Sequence, residues 1–289
     1  MDKETLSNYG WIVILVLILA VMIALATPFG NFIAGAIKST TAGFFSVNQN
    51  AMNAGGITIP GQNFDDVTTN DVVETSYKFG DSIKHGDYIY MYIGCESYEE
   101  YLDGVLKYYW LTSGTTGTSS WEETIEQAKM GGMTDEDIAM AETEIRNQIA
   151  PLYTEDGYAS FKALKIQHGW NVFAYDKTKT SYENIPAQFD NIPVVSMLIC
   201  FARCTNMTIA PMVPETIVDV QLAFGGCAKL TSCSIPLGIS TIGDDAFTGC
   251  TSLTDVYYAG TQEQWNQISI GRNNTCLANA TIHYNHIGD

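Results

Sequence analysis

Cys200-Phe201-Ala202-Arg203-Cys204-Thr205-Asn206-Met207 is followed 23 residues later by Ala223-Phe224-Gly225-Gly226-Cys227-Ala228-Lys229-Leu230. After another 23 comes Ala246-Phe247-Thr248-Gly249-Cys250-Thr251-Ser252-Leu253. Three columns keep register without an insertion: Phe201, Phe224 and Phe247; Cys204, Cys227 and Cys250; Met207, Leu230 and Leu253. A segment of strand-like alternation follows each block at the same offset, with Ala210 and Met212, Cys233 and Ile235, then Val256 and Tyr258 expected to face inward. A unit of this length cannot bury its apolar side alone, so neighbours must stack to complete a core, and about three units are the minimum. The nine column residues are therefore the predicted structural core of a short solenoid over residues 192–258, with strands near 208–212, 231–235 and 254–258 and the three Phe rings in one buried column. The cysteine column points inward, where Cys serves as a small hydrophobe rather than as a metal row. Cys200 and Cys204, four apart, are the one pair to check for a disulfide.

The last unit, Ile235-Pro236-Leu237-Gly238-Ile239-Ser240-Thr241-Ile242-Gly243-Asp244-Asp245-Ala246-Phe247-Thr248-Gly249-Cys250-Thr251-Ser252-Leu253, resembles the BspA-type leucine-rich repeats of bacterial surface proteins. The stretches Tyr257 to Trp265 and Ala280 to Asn285 resemble the cap that ends such arrays, so residues 259–289 are read as a C-terminal cap. The resemblance extends over about 95 residues from near Ile192. It implies a non-catalytic module, displayed at a cell surface, that binds macromolecules, and it names no ligand. The first two units depart from the pattern: Pro193 and Pro214 lie closer to their Phe than Pro236 does, and Ile199-Cys200 and Gln221-Leu222 replace the usual Gly-Asp turn.

Upstream, Gly86-Asp87 opens the β-rich run Tyr88-Ile89-Tyr90-Met91-Tyr92, and Gly169 opens Trp170-Asn171-Val172-Phe173-Ala174-Tyr175. The two runs are expected to pair in a small sheet spanning 86–191 that caps the first repeat. Between them, residues 95–168 change to helical period. Ser97-x-x-Glu100, Ser120-x-x-Glu123 and Thr134-x-x-Asp137 are capping boxes, followed by apolar faces at Tyr98, Tyr101, Leu102, Val105, Leu106 and Tyr109, then Trp121, Ile125 and Ala128, then Ile138, Ala141, Ile145 and Ile149. Gly131-Gly132 and Pro151 supply stops. From Cys95 to Gly157 there are 14 acids against Lys107, Lys129 and Arg146, a net of -11. Asp135, Glu136 and Asp137 point about 100° apart on a helix and do not converge on a cation. Deleting 95–168 is expected to leave a soluble repeat head that has lost its partner.

At the amino end, Thr5 to Ile37 carries no charge and Trp11 to Ala26 is continuously apolar. Tyr9 to Phe29 matches the roughly 20 residues that span a hydrocarbon core of about 30 Å. Residues 1–50 are read as a retained single-pass anchor with the carboxyl side outside, with a signal-peptidase site at Ala24-Leu25-Ala26 as the alternative. Phe29, Phe32, Ile33, Ala36, Ile37, Thr40, Phe44 and Val47 continue a helical stripe that suits either self-association of the chain or a helix lying on the membrane. Residues 51–85 form a linker, marked by Gly55-Gly56 and Pro60-Gly61.

Thirty-two acids against 14 bases give a net charge of -18, which repels a phosphate backbone and excludes nucleic acid as a partner class. No nucleophile elbow, zinc-binding helix or phosphate loop is present. His283-x-x-His286 reads as a frayed terminal pair rather than a metal site. The fold class is α+β: an N-terminal transmembrane helix, a small β cap with a helical insertion, and a leucine-rich-repeat solenoid. Catalytic, cofactor and metal sites are not expected, and no ligand-binding residue is singled out. The expected partners are the membrane, a protein or other macromolecule at the surface, and a second copy through the N-terminal helix. The function read from this is a membrane-anchored surface protein whose repeat head mediates adhesion or binding, with a pilin-like subunit as the alternative and an enzyme carried by the helical insert as a third class.

Overall fold

The structure, a computed structural model, describes residues 76–113, 121–149, 155, 158–159 and 168–286. The membrane segment, the apolar stripe after it, the linker as far as residue 75 and the Ser120 cap lie outside the described residues. Among the described residues, no helix is long and apolar enough to cross a membrane.

Two rows of strands close around one core. In the first, β1 (Ser82–His85), which the linker expected over 51–85 does not allow for, turns at Gly86 into β2 (Tyr88–Tyr92), which pairs antiparallel with β3 (Trp170–Ala174) from Tyr88 opposite Ala174 to Tyr92 opposite Trp170. Strand β3 then pairs in parallel with β5 (Ile192–Ser196), while β4 (Gln188–Phe189) lies antiparallel on the other side of β5. A parallel bridge from Ser196 to Asp219 carries the row into the next unit. Further on, β7 (Thr241–Ile242) pairs in parallel with β9 (Ser269–Ile270). The second row is wholly parallel: β6 (Ser232–Ile235), β8 (Asp255–Tyr258) and β10 (Thr281–His283). The sheet therefore runs without a break across residue 192, and β3 is both the edge of the cap and the first parallel rung of the stack.

The inward columns meet in the middle. Phe201 and Phe224 stack with centroids 5.6 Å apart and Phe224 and Phe247 at 5.1 Å, all three with no exposed surface. Each Phe amide donates to the Ala carbonyl of the next unit, Phe201 to Ala223 at 2.8 Å and Phe224 to Ala246 at 3.0 Å. Phe247 has no further unit to bond, and the Asn274 side chain supplies the missing oxygen at 2.9 Å. Its amide nitrogen donates in turn to the Gly243 and Gly271 carbonyls. One buried side chain thus stands in for a main-chain rung, which matters because an unsatisfied buried amide costs about 1–3 kcal/mol. At the other end, the edges of Tyr88 and Tyr182 close over Phe201.

The cysteines are all free, and six of the seven are buried. The Cys227 thiol donates to the Phe201 carbonyl at 3.0 Å and Cys250 to the Phe224 carbonyl at 3.1 Å, so the column adds a weak rung to the stack. Burial pushes the thiols of Cys200, Cys204, Cys227 and Cys233 up, and that of Cys250 to about 12, which keeps the protons these bonds need. Cys200 and Cys204 are not joined.

An exposed ladder keeps the period over Thr208, Thr231 and Thr254, with longer steps at either end. Thr208, Thr231, Thr254 and Thr281 each donate their amide to the preceding threonine, beginning at the Thr180 carbonyl. The hydroxyl of Thr231 reinforces it by donating to the same carbonyl at 2.8 Å.

The expected strand over 208–212 shrinks to a bridge between Ile209 and Ser232. Pro211 occupies the place of Ser234 in the next unit and has no amide to give a ladder. The loop 180–185 takes the other edge: Ile185 donates to the Met212 carbonyl, and Asn184 Oδ1 accepts from the Met212 amide. Met212 accordingly points outward and is 43% exposed, not inward as its offset suggested.

Among the described residues, the continuous helices are α1 (Tyr98–Ser113), α2 (Trp121–Met130) and α3 (Asp135–Ile149), with two single turns in the end cap, α4 (Gln262–Trp265) and α5 (Thr275–Ala278). Thr134 and Asp137 cap each other reciprocally, and Thr261 with Gln264 forms a further capping box at α4. The Glu100 amide donates to Ser97 Oγ, while the Glu100 carboxylate reaches back to the Glu96 amide.

Strands β2 and β3 are buried on both faces because they lie between two apolar layers. Tyr88, Tyr90, Tyr92, Trp170, Val172 and Ala174 face the solenoid. Ile93 packs with Tyr101, Val105 and Leu106 of α1, and Ile89, Met91 and Phe173 pack with Tyr108. Gly104 lets α1 approach this closely, since a Cβ there would lie 2.0 Å from the Phe79 ring. The insert is thus a wall of the core, and the expectation of a soluble head without it is withdrawn: removing it would bare the whole outer face of the sheet.

The irregular turns have the same origin. Ile199, Leu222 and Asp245, each two residues before its Phe, share positive φ of 62°, 52° and 60°; Arg203, Gly226 and Gly249, two residues after, share 66°, 79° and 71°. Asp and Gly tolerate this region, while a β-branched Ile is strained in it. Ile199 and Leu222 are buried with Tyr108 packed against them. The two departures from the repeat pattern are therefore the socket in which α1 sits.

Candidate functional site

Among the described residues, one face of the second sheet is only partly covered. Its inward residues are Cys233, Ile235, Val256 and Tyr258; alternation turns Ser232, Ser234, Asp255, Tyr257, Thr281 and His283 outward. Parallel register places Ser232 beside Asp255 and Thr281, and Ser234 beside Tyr257 and His283. The two ends of this face differ in chemistry. Toward the first unit, Ile209, bridged to Ser232 and 61% exposed, forms an apolar end. Toward the last strand, the Tyr257 ring is stacked by His283 at 4.8 Å and contacted by His286 at 4.6 Å. Two serines lie between.

Asp255 is held in place twice: His283 Nε2 is 2.7 Å from Oδ1, and Thr254 Oγ1 donates to Oδ2 at 2.8 Å. The hydrogen bond from His283, aided by Thr254, holds its carboxyl below the usual carboxylate range. The aspartate fixes the imidazole against Tyr257. The face therefore offers hydroxyls, an oriented imidazole and aromatic and aliphatic surface, which suits recognition of a partner that is itself mixed in polarity.

The nine predicted core residues lie beneath this face, with exposure between 0% and 7%. They position it and do not touch solvent. The outward residues were missed because the inward columns carry the repeat, whereas Ser232, Asp255 and Thr281 share a row without sharing a residue type. His283, expected to fray, is the third strand of the sheet. Among the described residues, no three His, Cys, Asp or Glu side chains are grouped to hold a metal. Asp135 pairs with Lys129 at 2.7 Å and Asp137 caps its own helix, so that acidic run is used locally.

Comparison with known proteins bears on this region. Residues 169–287 match the model for the BspA type leucine rich repeat region, in six copies, which begins 23 residues ahead of Ile192 and so includes β3. A leucine rich repeat protein of T. pallidum is 23% identical with a TM-score of 0.33, covering 41% of this chain and 58% of that one. A leucine rich cell surface protein from Faecalibacterium prausnitzii A2-165 is 20% identical with a TM-score of 0.20, covering 35% and 38%. The chain thus spans less than two thirds of either. No curated protein matches it. Its carboxyl-terminal half, from β3 to the end cap, is similar to a BspA-type leucine-rich repeat region.

Proposed function

We propose that the chain is a surface-displayed binding protein. Its N-terminal apolar segment holds it in the cell membrane, its carboxyl-terminal region is outside, and the outward face of the second sheet engages a protein or other macromolecule in adhesion. The observation that carries this reading is that face: a sheet otherwise built to bury apolar groups leaves Ile209 exposed and the Tyr257–His283–His286 cluster only partly covered, beside a hydroxyl row. The match to BspA-type repeats supports it.

Protease shaving of intact cells, followed by mass spectrometry, tests the placement. Peptides from residue 76 onward are expected in the released fraction, and protection until lysis would overturn it. For the face, Tyr257→Ala with Ile209→Ser is expected to abolish attachment of chain-displaying cells to partner-coated surfaces while the unfolding midpoint changes little. Attachment that survives the pair would move the binding site elsewhere.

A further inference from the structure

The helical insert leaves the sheet after Ile93 and returns at His168. The Ile93 amide donates to the Gly169 carbonyl at 2.9 Å, extending the β2–β3 pairing by one bond. Just beyond it, His168 Nδ1 lies 3.1 Å from Tyr92 Oη and Nε2 lies 3.2 Å from Glu96 Oε1. A carboxylate can only accept, so Nε2 of the neutral ring carries the proton, and Nδ1 accepts from the Tyr92 hydroxyl. Burial pushes the Tyr92 phenol up to about 12, so that hydroxyl keeps its proton.

The surrounding backbone is shaped to this contact. Gly94 leaves the space: a Cβ there would lie 2.8 Å from both His168 Nδ1 and Tyr92 Oη. His168 itself is in the left-handed region at φ 60°, a conformation that persists only where its surroundings hold it. Gly169 lets the returning chain pass over β5, where a Cβ would meet Val195 Cγ2 at 2.5 Å.

We propose that Tyr92, His168 and Glu96 form a clamp across the two ends of the insert, which makes the helical layer and the solenoid open together rather than separately. The same side chain ties the exit of the insert to its entry and to the sheet. With the clamp broken, helix α1 lifts from Ile89, Met91 and Phe173 as its own unit while the repeats stay closed.

Hydrogen exchange read by mass spectrometry on the full chain tests this. Tyr92→Phe removes one hydroxyl and no bulk; Gly94→Ala pries the contact apart from the other side. Both are expected to raise exchange in peptides covering Tyr98 to Leu106 at least tenfold and leave peptides covering Phe224 to Ile235 unchanged. His168→Gln, whose amide oxygen and nitrogen can occupy the places of Nδ1 and Nε2, is expected to leave both regions unchanged. A uniform rise across the chain in Tyr92→Phe, no change in helix α1, or a His168→Gln variant that exchanges like Tyr92→Phe would overturn the clamp.

Discussion

The first and third repeat units descend from one pattern and end differently. In the third, Asp245 and Gly249 take the two left-handed positions, and a regular strand, β8, follows. In the first, Ile199 and Arg203 take them, and the strand is reduced to a bridge ending in exposed Ile209 and Met212. The third unit touches the end cap, which asks only that its main-chain bonds be finished. The first carries helix α1, and Ile199 with Leu222 forms the socket for Tyr108. Regularity is thus given up where a tertiary contact needs side chains, and the strain is held by that contact.

The most severe way to break the comparison is to delete residues 95–168 behind a short Gly-Ser bridge. With Ile89, Met91, Ile93, Phe173, Ile199 and Leu222 bared, the product is expected to aggregate on expression. A soluble, monodisperse head by gel filtration would show that the insert is an appendage after all. Within the shared core, Phe224→Ala removes the middle ring of a column packed on both sides, and urea unfolding is expected to show a loss of about 3–5 kcal/mol. A loss below about 1 kcal/mol would mean the column collapses around the gap.

At the third unit, Asn274→Ala strips Phe247 of its acceptor and is expected to cost about 1–3 kcal/mol by the same measurement. An effect no larger than that of the exposed Thr251→Ala would remove the amide from its place as a rung. The smallest effect distinguishes the units directly. Arg203→Gly relieves a left-handed residue and is expected to gain up to about 1 kcal/mol, whereas Gly249→Arg, the reverse exchange in the third unit, loses about 1–2 kcal/mol. Equal and opposite effects of the two would mean that the units differ only in sequence and not in what surrounds them.

What could be read from the chain follows from which contacts repeat. Phe201, Phe224 and Phe247 lie in the same place in successive units, so one spacing exposes all three, and the glycine-opened runs at Tyr88 and Trp170 signal strands that do pair. Asn274 occurs once and acts by replacing a carbonyl, so no period or motif points to it. Ile199 and Leu222 look like faults in a repeat until helix α1 is seen against them, because Tyr108 lies 91 and 114 residues from them in sequence. Thr208, Thr231 and Thr254 keep the 23-residue spacing, yet as polar residues they carry no signal of a buried column. The outward face was hidden for a related reason: Asp255 and His283 meet only through parallel pairing of β8 with β10.

The amide of Asn274 also sets how long the array is. Each unit hands its Phe amide to the next unit's carbonyl, so the stack would accept another turn wherever that exchange is still main chain to main chain. It stops where a side chain answers instead. A 23-residue copy inserted ahead of Ile235 would find a matching row above and below it, and the ending would simply move outward. The second sheet would then gain one strand for each copy, so the reach of its outward face can grow by duplication of a short coding segment while the β cap and the end cap stay as they are.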